Sequence, residues 1–266
     1  MNNIPENIEE YKKWLKKEHN INITERTKTY YESVANKIKL DFSKSDIWRK
    51  LSDEENLKEF NNDYLFETGY PLFTSNLKPE LQVKSFKSFL LKTFRRNIIQ
   101  NKYFPKKPEG GWIISENWFT KIGDIVRTLF IVKYLDGISF LIKKIKTICE
   151  TQGLEFRDYL EAREEGYYAA HLYIKKEFEI PKEDWDTKII KCSVEIQITT
   201  QLQEVIRTLL HKYYDANRRR LKKPIDVKWQ WNYASDEFTA NYLGHILHYV
   251  EGMIMEIREK QKEVIK

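Results

Sequence analysis

Apolar positions along the chain recur with helical spacing in some stretches and alternate in others, and that difference predicts the elements. Residues 6–18 place Ile8, Tyr11, Trp14 and Leu15 on one helical face, and a second helix is expected over about 24–41. Thr24, with Thr27 three positions on, supplies half of a capping box. Two shorter helices follow. The second opens at Ser52-Asp53-Glu54-Glu55, whose acids suit the positive end of a helix dipole. Gly69-Tyr70-Pro71 and Leu77-Lys78-Pro79 then break the pattern. A helix from about Ser85 turns Phe86, Phe89, Leu90 and Phe94 inward. Ile125 to Tyr134, rich in β-branched and aromatic residues, reads as a buried central strand. Asp136-Gly137 marks a turn, and residues 138–149 read as a helix with Ile138, Leu141, Ile142, Ile145 and Ile148 inward.

A strand is expected near Leu154 to Tyr159, followed by two more at Gly166 to Lys175 and Val194 to Thr200. In the first of this pair Tyr168, Ala170, Leu172 and Ile174 share one face, and Tyr167, Ala169, His171, Tyr173 and Lys175 the other. In its neighbour Val194, Ile196 and Ile198 point one way, and Glu195, Gln197 and Thr199 the other. Each strand therefore has an apolar face to bury and a Tyr, His, Glu and Gln face to line a site. A long helix from about Thr200 to Asn217 is expected to bury Leu202, Val205, Ile206, Leu209, Leu210 and Tyr213. After the basic tract Arg218 to Lys223, a final helix carries Leu243, Ile246, Leu247, Val250, Met253, Ile254 and Ile257 on one side. His245 and His248 flank that seam and read as ordinary surface histidines. The order of elements is α+β, a mixed β-sheet flanked by helices. We divide it into a helical N-terminal extension (1–75), a core (76–217), and a basic turn with a C-terminal helix (218–266).

Composition narrows the class. Of 266 residues, 41% are apolar and 14% aromatic, which excludes a disordered chain, and 32% are charged, which implies a well-solvated surface. No stretch approaches the roughly 20 apolar residues of a membrane span, and the N-terminus lacks a basic start leading into an apolar run, so the cytoplasm is the expected compartment. Cys149 and Cys192 have no metal-ligand spacing and are expected to be packing residues. The net charge of +6 suits anionic ligands such as nucleotides or RNA, and equally suits a Lys-rich surface that binds neither.

Three local patterns carry candidate chemistry. Lys84, Ser88, Lys92 and Arg95 form a stripe along the helix from Ser85, able to hold phosphate oxygens or simply to face water. Asp124, at the mouth of the Ile125 strand, is placed either as a metal ligand or as a turn residue. The Pro- and Gly-rich stretch Tyr103 to Gly111 is a basic loop, a lid or an ordinary connection.

Taken in order, Lys84-Ser85 with Ser88 and Lys92, Asp124-Ile125, Gly166-Tyr167 to His171, and Val194-Glu195-Ile196-Gln197-Ile198 with His211-Lys212 resemble the synthetase domain of the RelA/SpoT family. The resemblance spans roughly residues 80–215 and implies a nucleotidyltransferase-like fold that moves pyrophosphate from ATP to a ribose 3′-hydroxyl, releasing AMP. It places Mg²⁺ on Asp124 and Glu195, with Glu195 also helping to deprotonate the attacking hydroxyl. It also sets Lys84, Ser88 and Lys92 along the ATP phosphates, with Arg95 and Arg127 as further donor-side cations. On the acceptor side it places Tyr167 against the base, His171 at the phosphates, and Gln197 beside them. Without metal, two converging carboxylates would raise one pKa, which favours a bound cation. The chain departs from the family at Gln82, Leu129 and Thr199, where Arg is usual, and at Tyr168, where Arg or Gln is usual. Arg127 lies two residues from Leu129, on the same strand face. No His-Asp pair of the long members' hydrolase domain occurs, so the resemblance is to a short, synthetase-only member. Three functions stay open: an alarmone synthetase acting on GDP or GTP, a toxin modifying the 3′ end of tRNA, and an inactive RNA-binding or regulatory module. An antitoxin partner and a homo-oligomer remain open with them.

Overall fold

The computed structural model describes residues 4–74, 78–182, 186–209 and 228–265. In chain order the elements are α1 (Ile8–His19), α2 (Glu25–Ser43), α3 (Asp46–Ser52), α4 (Glu54–Thr68), β1 (Gln82–Val83) and α5 (Phe86–Phe94). They continue with α6 (Trp118–Lys121), β2 (Val126–Val132), α7 (Leu135–Thr151), β3 (Glu155–Ala162), β4 (Tyr168–Pro181), β5 (Thr187–Thr200), α8 (201–209) and α9 (Asp236–Ile265). The strands form one mixed sheet in the order β1-β2-β5-β4-β3, so the α+β expectation is met. β5 holds the centre. β2 lies one place from the edge, and its burial alternates strictly along Val126–Val132, which gives it one buried face rather than two. His211-Lys212 and the tract Arg218 to Lys223 lie outside the described residues. Among the described residues no helix is long and apolar enough to cross a membrane.

The chain divides into two compact units, each assembled from separated stretches: residues 1–45, 81–127 and 174–195 in one, residues 46–80, 128–173 and 196–266 in the other. In the first, aromatic packing fixes α5. Tyr31 stacks on Phe89 at 4.5 Å, Phe89 meets Trp118 edge-on at 5.2 Å, and Tyr11 lies 5.1 Å from Phe94. Burying each such ring contributes roughly 2–3 kcal/mol. Asn97 knits the layer together, donating to the Tyr11 hydroxyl and the Ile113 carbonyl, both at 2.8 Å. Burial pushes the Tyr11 hydroxyl pKa up to about 12. Thr24 and Thr27 complete the capping box with two hydroxyls, so a second Thr serves where an acid is usual. Both cysteines are buried, and burial pushes Cys192 up to about 12 and Cys149 to about 11, leaving unreactive thiols.

In the second unit, α7 buries Leu141, Ile145 and Cys149, and its first turn takes in Asp136 and Gly137, where a turn was expected. Asp136 belongs at a helix start because its carboxylate faces the dipole and accepts from Tyr64 Oη at 2.6 Å. Gly137 belongs there because a Cβ would come within 3.0 Å of Leu72 Cδ1 and 3.2 Å of Val132 Cβ. The last two helices depart most from expectation. On α8, Gln203 and Ile206 are buried, while Val205 and Leu209 are 50% and 70% exposed. On α9 the inward seam is Ala240, Asn241, Glu251 and Arg258; of the expected apolar stripe Leu247, Val250 and Ile254 are half-buried, and Leu243, Ile246, Met253 and Ile257 face solvent. Each charged seam residue has a partner: Glu251 accepts from Thr200 Oγ1, and Arg258 pairs with Asp136 at 3.0 Å between the rings of Tyr70 and Tyr134.

Candidate active site

Ser85 caps α5, its hydroxyl accepting from the Ser88 backbone N–H, and this sets where the basic stripe begins. Just before the cap, Tyr31 Oη donates to the Lys84 carbonyl at 2.8 Å, and the Lys84 N–H donates to the Ile125 carbonyl at 2.8 Å. Lys84 is thus held next to the strand that Asp124 precedes. Lys92, two turns along α5, reaches the same place. The two ammonium groups lie 2.9 and 2.7 Å from one oxygen of Asp124, Oδ2.

Asp124 is buried, and its other oxygen, Oδ1, is enclosed with no hydrogen-bond partner. Burial by itself would raise its pKa. Lys92 and Lys84 together outweigh burial and hold the carboxyl well below the usual carboxylate range. The raised carboxyl that two carboxylates without metal would give is therefore not found at Asp124, because two cations already neutralise it. Burial pushes the Lys92 ammonium downward, with Asp124 opposing and Lys84 and Arg96 adding to the shift.

Glu195 is buried on β5 in the same unit. Of the remaining residues expected on the donor side, Ser88 is exposed, its hydroxyl accepting from Ser85 Oγ at 3.0 Å, and Arg95 is half-buried in the π-helical turn Arg95–Ile99 that continues α5. Arg127 is the cross-strand partner of Gln82 in the β1/β2 ladder. Directly opposed residues share a sheet face with Cβ atoms roughly 5 Å apart. Arg127 thus brings a guanidinium beside the position where the family carries Arg and this chain has Gln82.

The other unit carries the residues expected on the acceptor side, Tyr167, His171 and Gln197. Tyr167 follows the turn from β3, with the Arg163 guanidinium 5.1 Å from its ring centroid. Its hydroxyl is 3.5 Å from His171 Nε2, and that nitrogen is 2.9 Å from Glu161. His171 is buried with its ring stacked under Tyr159 at 5.2 Å; Tyr159 in turn lies along Tyr173, over which Arg157 sits at 5.3 Å. Gln197 is half-buried, two residues beyond Glu195 on the same strand face. The sequence reading missed Tyr168, whose hydroxyl meets His245 Nδ1 at 2.8 Å and whose ring stacks on His248 at 3.7 Å. The HxxH spacing on α9 was the available signal, but nothing local linked it to Tyr168, 77 residues earlier.

Among the described residues no group of three or more His, Cys, Asp or Glu is arranged to hold a metal by itself. Mg²⁺ takes one or two carboxylates and completes its shell with water and substrate phosphates. The unpartnered Oδ1 of a carboxylate that stays ionised fits that demand, and Glu195 is the second oxygen donor the sequence offers.

No protein-family model matches the chain, and no curated protein does. Among solved structures, small alarmone synthetase 1 from Bacillus subtilis aligns with a TM-score of 0.51 at 16% identity, over 90% of this chain and 97% of that one. The same protein bound to its product pppGpp aligns with a TM-score of 0.50 at 16% identity, over the same shares. The chain has the fold of these synthetases, as the resemblance in sequence implied.

Proposed function

We propose that this chain transfers the β,γ-pyrophosphate of ATP to the ribose 3′-hydroxyl of GDP or GTP. The observation that carries the reading is Asp124, with one oxygen shared by Lys84 and Lys92 and the other enclosed without a partner. Two ammonium groups on one buried carboxylate leave a net positive charge, which suits the phosphate oxygens of a triphosphate; with the lysines taken up by phosphate, Asp124 would be free to hold a cation. Mg²⁺, when held by Asp124 and Glu195, would draw charge off the transferred group. Lys84 and Lys92 neutralise the phosphates, with Ser88 and Arg95 further along α5, and Arg127 stands in for the donor-side arginine absent at Gln82. Tyr167 offers its ring to the acceptor base and His171 its imidazole to the acceptor phosphates. Glu195 accepts the 3′-hydroxyl proton as the oxygen attacks the β-phosphorus. The bond to the α-phosphate oxygen breaks and AMP leaves. The fold shared with a synthetase whose product is pppGpp supports the same chemistry.

One observation favours a second acceptor, the 3′ end of tRNA. Rings and guanidinium groups continue past Tyr167 along β3 and β4 through His171, Tyr159, Tyr173 and Arg157. That row is longer than one base, and stacked rings with interleaved arginines suit successive bases of a single strand. The test offers γ-labelled ATP and Mg²⁺ with GDP, GTP or uncharged tRNA in turn, using Glu195→Gln as control. Label on GDP or GTP that disappears in the variant supports the first reading. Label on tRNA alone, falling steeply with salt, replaces it with the second. Absence of transfer to any acceptor removes both and leaves an RNA-binding or regulatory module.

A further inference from the structure

The turn between β3 and β4 closes with the Arg163 N–H donating to the Tyr167 carbonyl at 3.0 Å and the Gly166 N–H donating to the Arg163 carbonyl at 2.9 Å. Gly166 sits at φ +75°, and around it Arg163 pairs with Glu161 and lies over the Tyr167 ring while Gln230 donates to the Glu164 carboxylate. α9 adds a further hold, crossing the turn backbone to backbone. A Cβ on Gly166 would run into the Asn241 carbonyl, and one on Gly244 into the Gly166 carbonyl.

Beside that contact His245 reaches both arms of the turn. Its Nε2 lies 2.9 Å from the Glu164 carbonyl, which can only accept, so Nε2 carries the hydrogen. Nδ1 is left to accept from Tyr168 Oη at 2.8 Å. One imidazole thus ties the residue three before Tyr167 to the residue after it. His248 lies flat on the Tyr168 ring, 3.7 Å away with planes 11° apart, and its Nδ1 is 3.4 Å from Glu251, which accepts from Thr200 Oγ1. Thr199 Oγ1 donates to the Tyr168 carbonyl at 3.3 Å. Tyr168 and Thr199, two of the positions where this chain lacks the family's usual residue, are the ones tied into this arrangement.

We infer that His245 and His248 are positioning residues that hold the turn carrying Tyr167, so that α9 sets how tightly the acceptor is bound. The inference rests on the reading that Tyr167 takes the acceptor base. Recognition through a single ring needs that ring held to within about half an ångström, and the Arg163 contact with Tyr167 comes from within the same turn, so it does not tie the turn to the helix beside it as His245 does. Losing two ordinary hydrogen bonds corresponds to about a tenfold change in occupancy of the held turn.

Three variants test it: His245→Phe, which keeps a ring and removes both hydrogen bonds; His245→Gln, which keeps a donor for the Glu164 carbonyl; and Tyr168→Phe, which keeps the stack on His248 alone. Hydrogen exchange of the 163–168 amides is read together with the KM for acceptor and for ATP. His245→Phe is expected to speed exchange in that turn about tenfold, leave the amides of α5 unchanged, and raise acceptor KM about tenfold. KM for ATP and kcat at saturating acceptor should stay within about twofold. His245→Gln should recover most of the loss, and Tyr168→Phe should fall between. Unchanged turn exchange in His245→Phe overturns the inference, as does a loss of protection spread over the whole unit or a fall in kcat with both KM values unmoved. If the unaltered protein transfers to no acceptor, the functional reading falls, while the exchange measurement still decides whether α9 holds the turn.

Discussion

Replacing Asp124 with Asn removes the carboxylate on which Lys84 and Lys92 converge. Each charge-assisted hydrogen bond of this kind contributes about 1.5–3 kcal/mol, so the two together set an upper bound of about 6 kcal/mol. Two effects reduce the loss. The Asn oxygen still accepts, though from neutral-to-charged contacts of lower strength, and Lys92, already depressed by burial, can shed its proton rather than stay charged and unpaired. The ammonium groups cannot simply swing into water, since their side chains are only 11% and 19% exposed. The expected net destabilisation at pH 7 is about 2–3 kcal/mol, read as a lower urea midpoint with the slope of the transition unchanged. The pH dependence identifies the cause. Asp124 has a folded pKa below its unfolded value near 4. Its stabilisation is therefore complete above about pH 5 and is lost as pH falls through 4 toward the folded value, at up to about 1.4 kcal/mol per pH unit. The two proteins should converge in acid. A gap below about 0.5 kcal/mol at pH 7, or one of equal size at pH 3.5 and pH 7, would refute the reasoning.

Two further outcomes follow from the polar seam of α9. Arg258→Met leaves Asp136 without its cation and takes the charged guanidinium from between Tyr70 and Tyr134, so thermal unfolding should shift down by about 6–12 °C, corresponding to about 3 kcal/mol; a shift under 2 °C would show that the guanidinium is dispensable. Burial holds the Glu251 pKa above its ordinary value against the opposing effect of Thr200 and His248, so its contribution is most favourable below the unfolded pKa and is lost as pH rises through the folded one. Glu251→Gln should therefore match the unaltered protein near pH 4 and become the more heat-stable of the two as pH rises toward 8, and melting curves that stay parallel across that range would contradict the assignment.

Much of the first unit was legible because its signals are local. The helix start near Ser85, the Phe86, Phe89, Leu90 and Phe94 face, and the Thr24 and Thr27 pair all act within one helix turn or two. The strand faces of β4 and β5 were legible for the same reason, since a period of two is read directly. The seam of α9 was not. Apolar-inward spacing selects Leu243, Ile246, Leu247, Val250, Met253, Ile254 and Ile257, of which Leu247, Val250 and Ile254 are half-buried and the others exposed, while two charged residues are buried on polar partners far along the chain: Glu251 with Thr200, Arg258 with Asp136 and Tyr64. A paired charge can be buried where an unpaired one cannot, and pairing across 50 to 190 residues leaves no mark on local periodicity. Gly244 failed as a signal likewise, because it is required by Gly166 and not by its own helix. The meeting of Lys84, Lys92 and Asp124 was legible as three candidates for one site, but the doubled ion pair on a single oxygen was not.

Because β2, β4 and β5 each start in one unit and finish in the other, synthesis order constrains when the first unit can exist. Its first helices emerge within the opening 45 residues, but the strand residues they need end at Glu195, and Tyr30 finds its partner, the Pro181 carbonyl, 151 residues later. At roughly 5–20 residues per second, the lysines and Asp124 are on hand for several seconds before Glu195 leaves the ribosome. A ribosome stalled between residues 124 and 195 therefore carries a polypeptide that holds Lys84, Lys92 and Asp124 but not Glu195, and the unit to which all four belong cannot close while the chain is still that short.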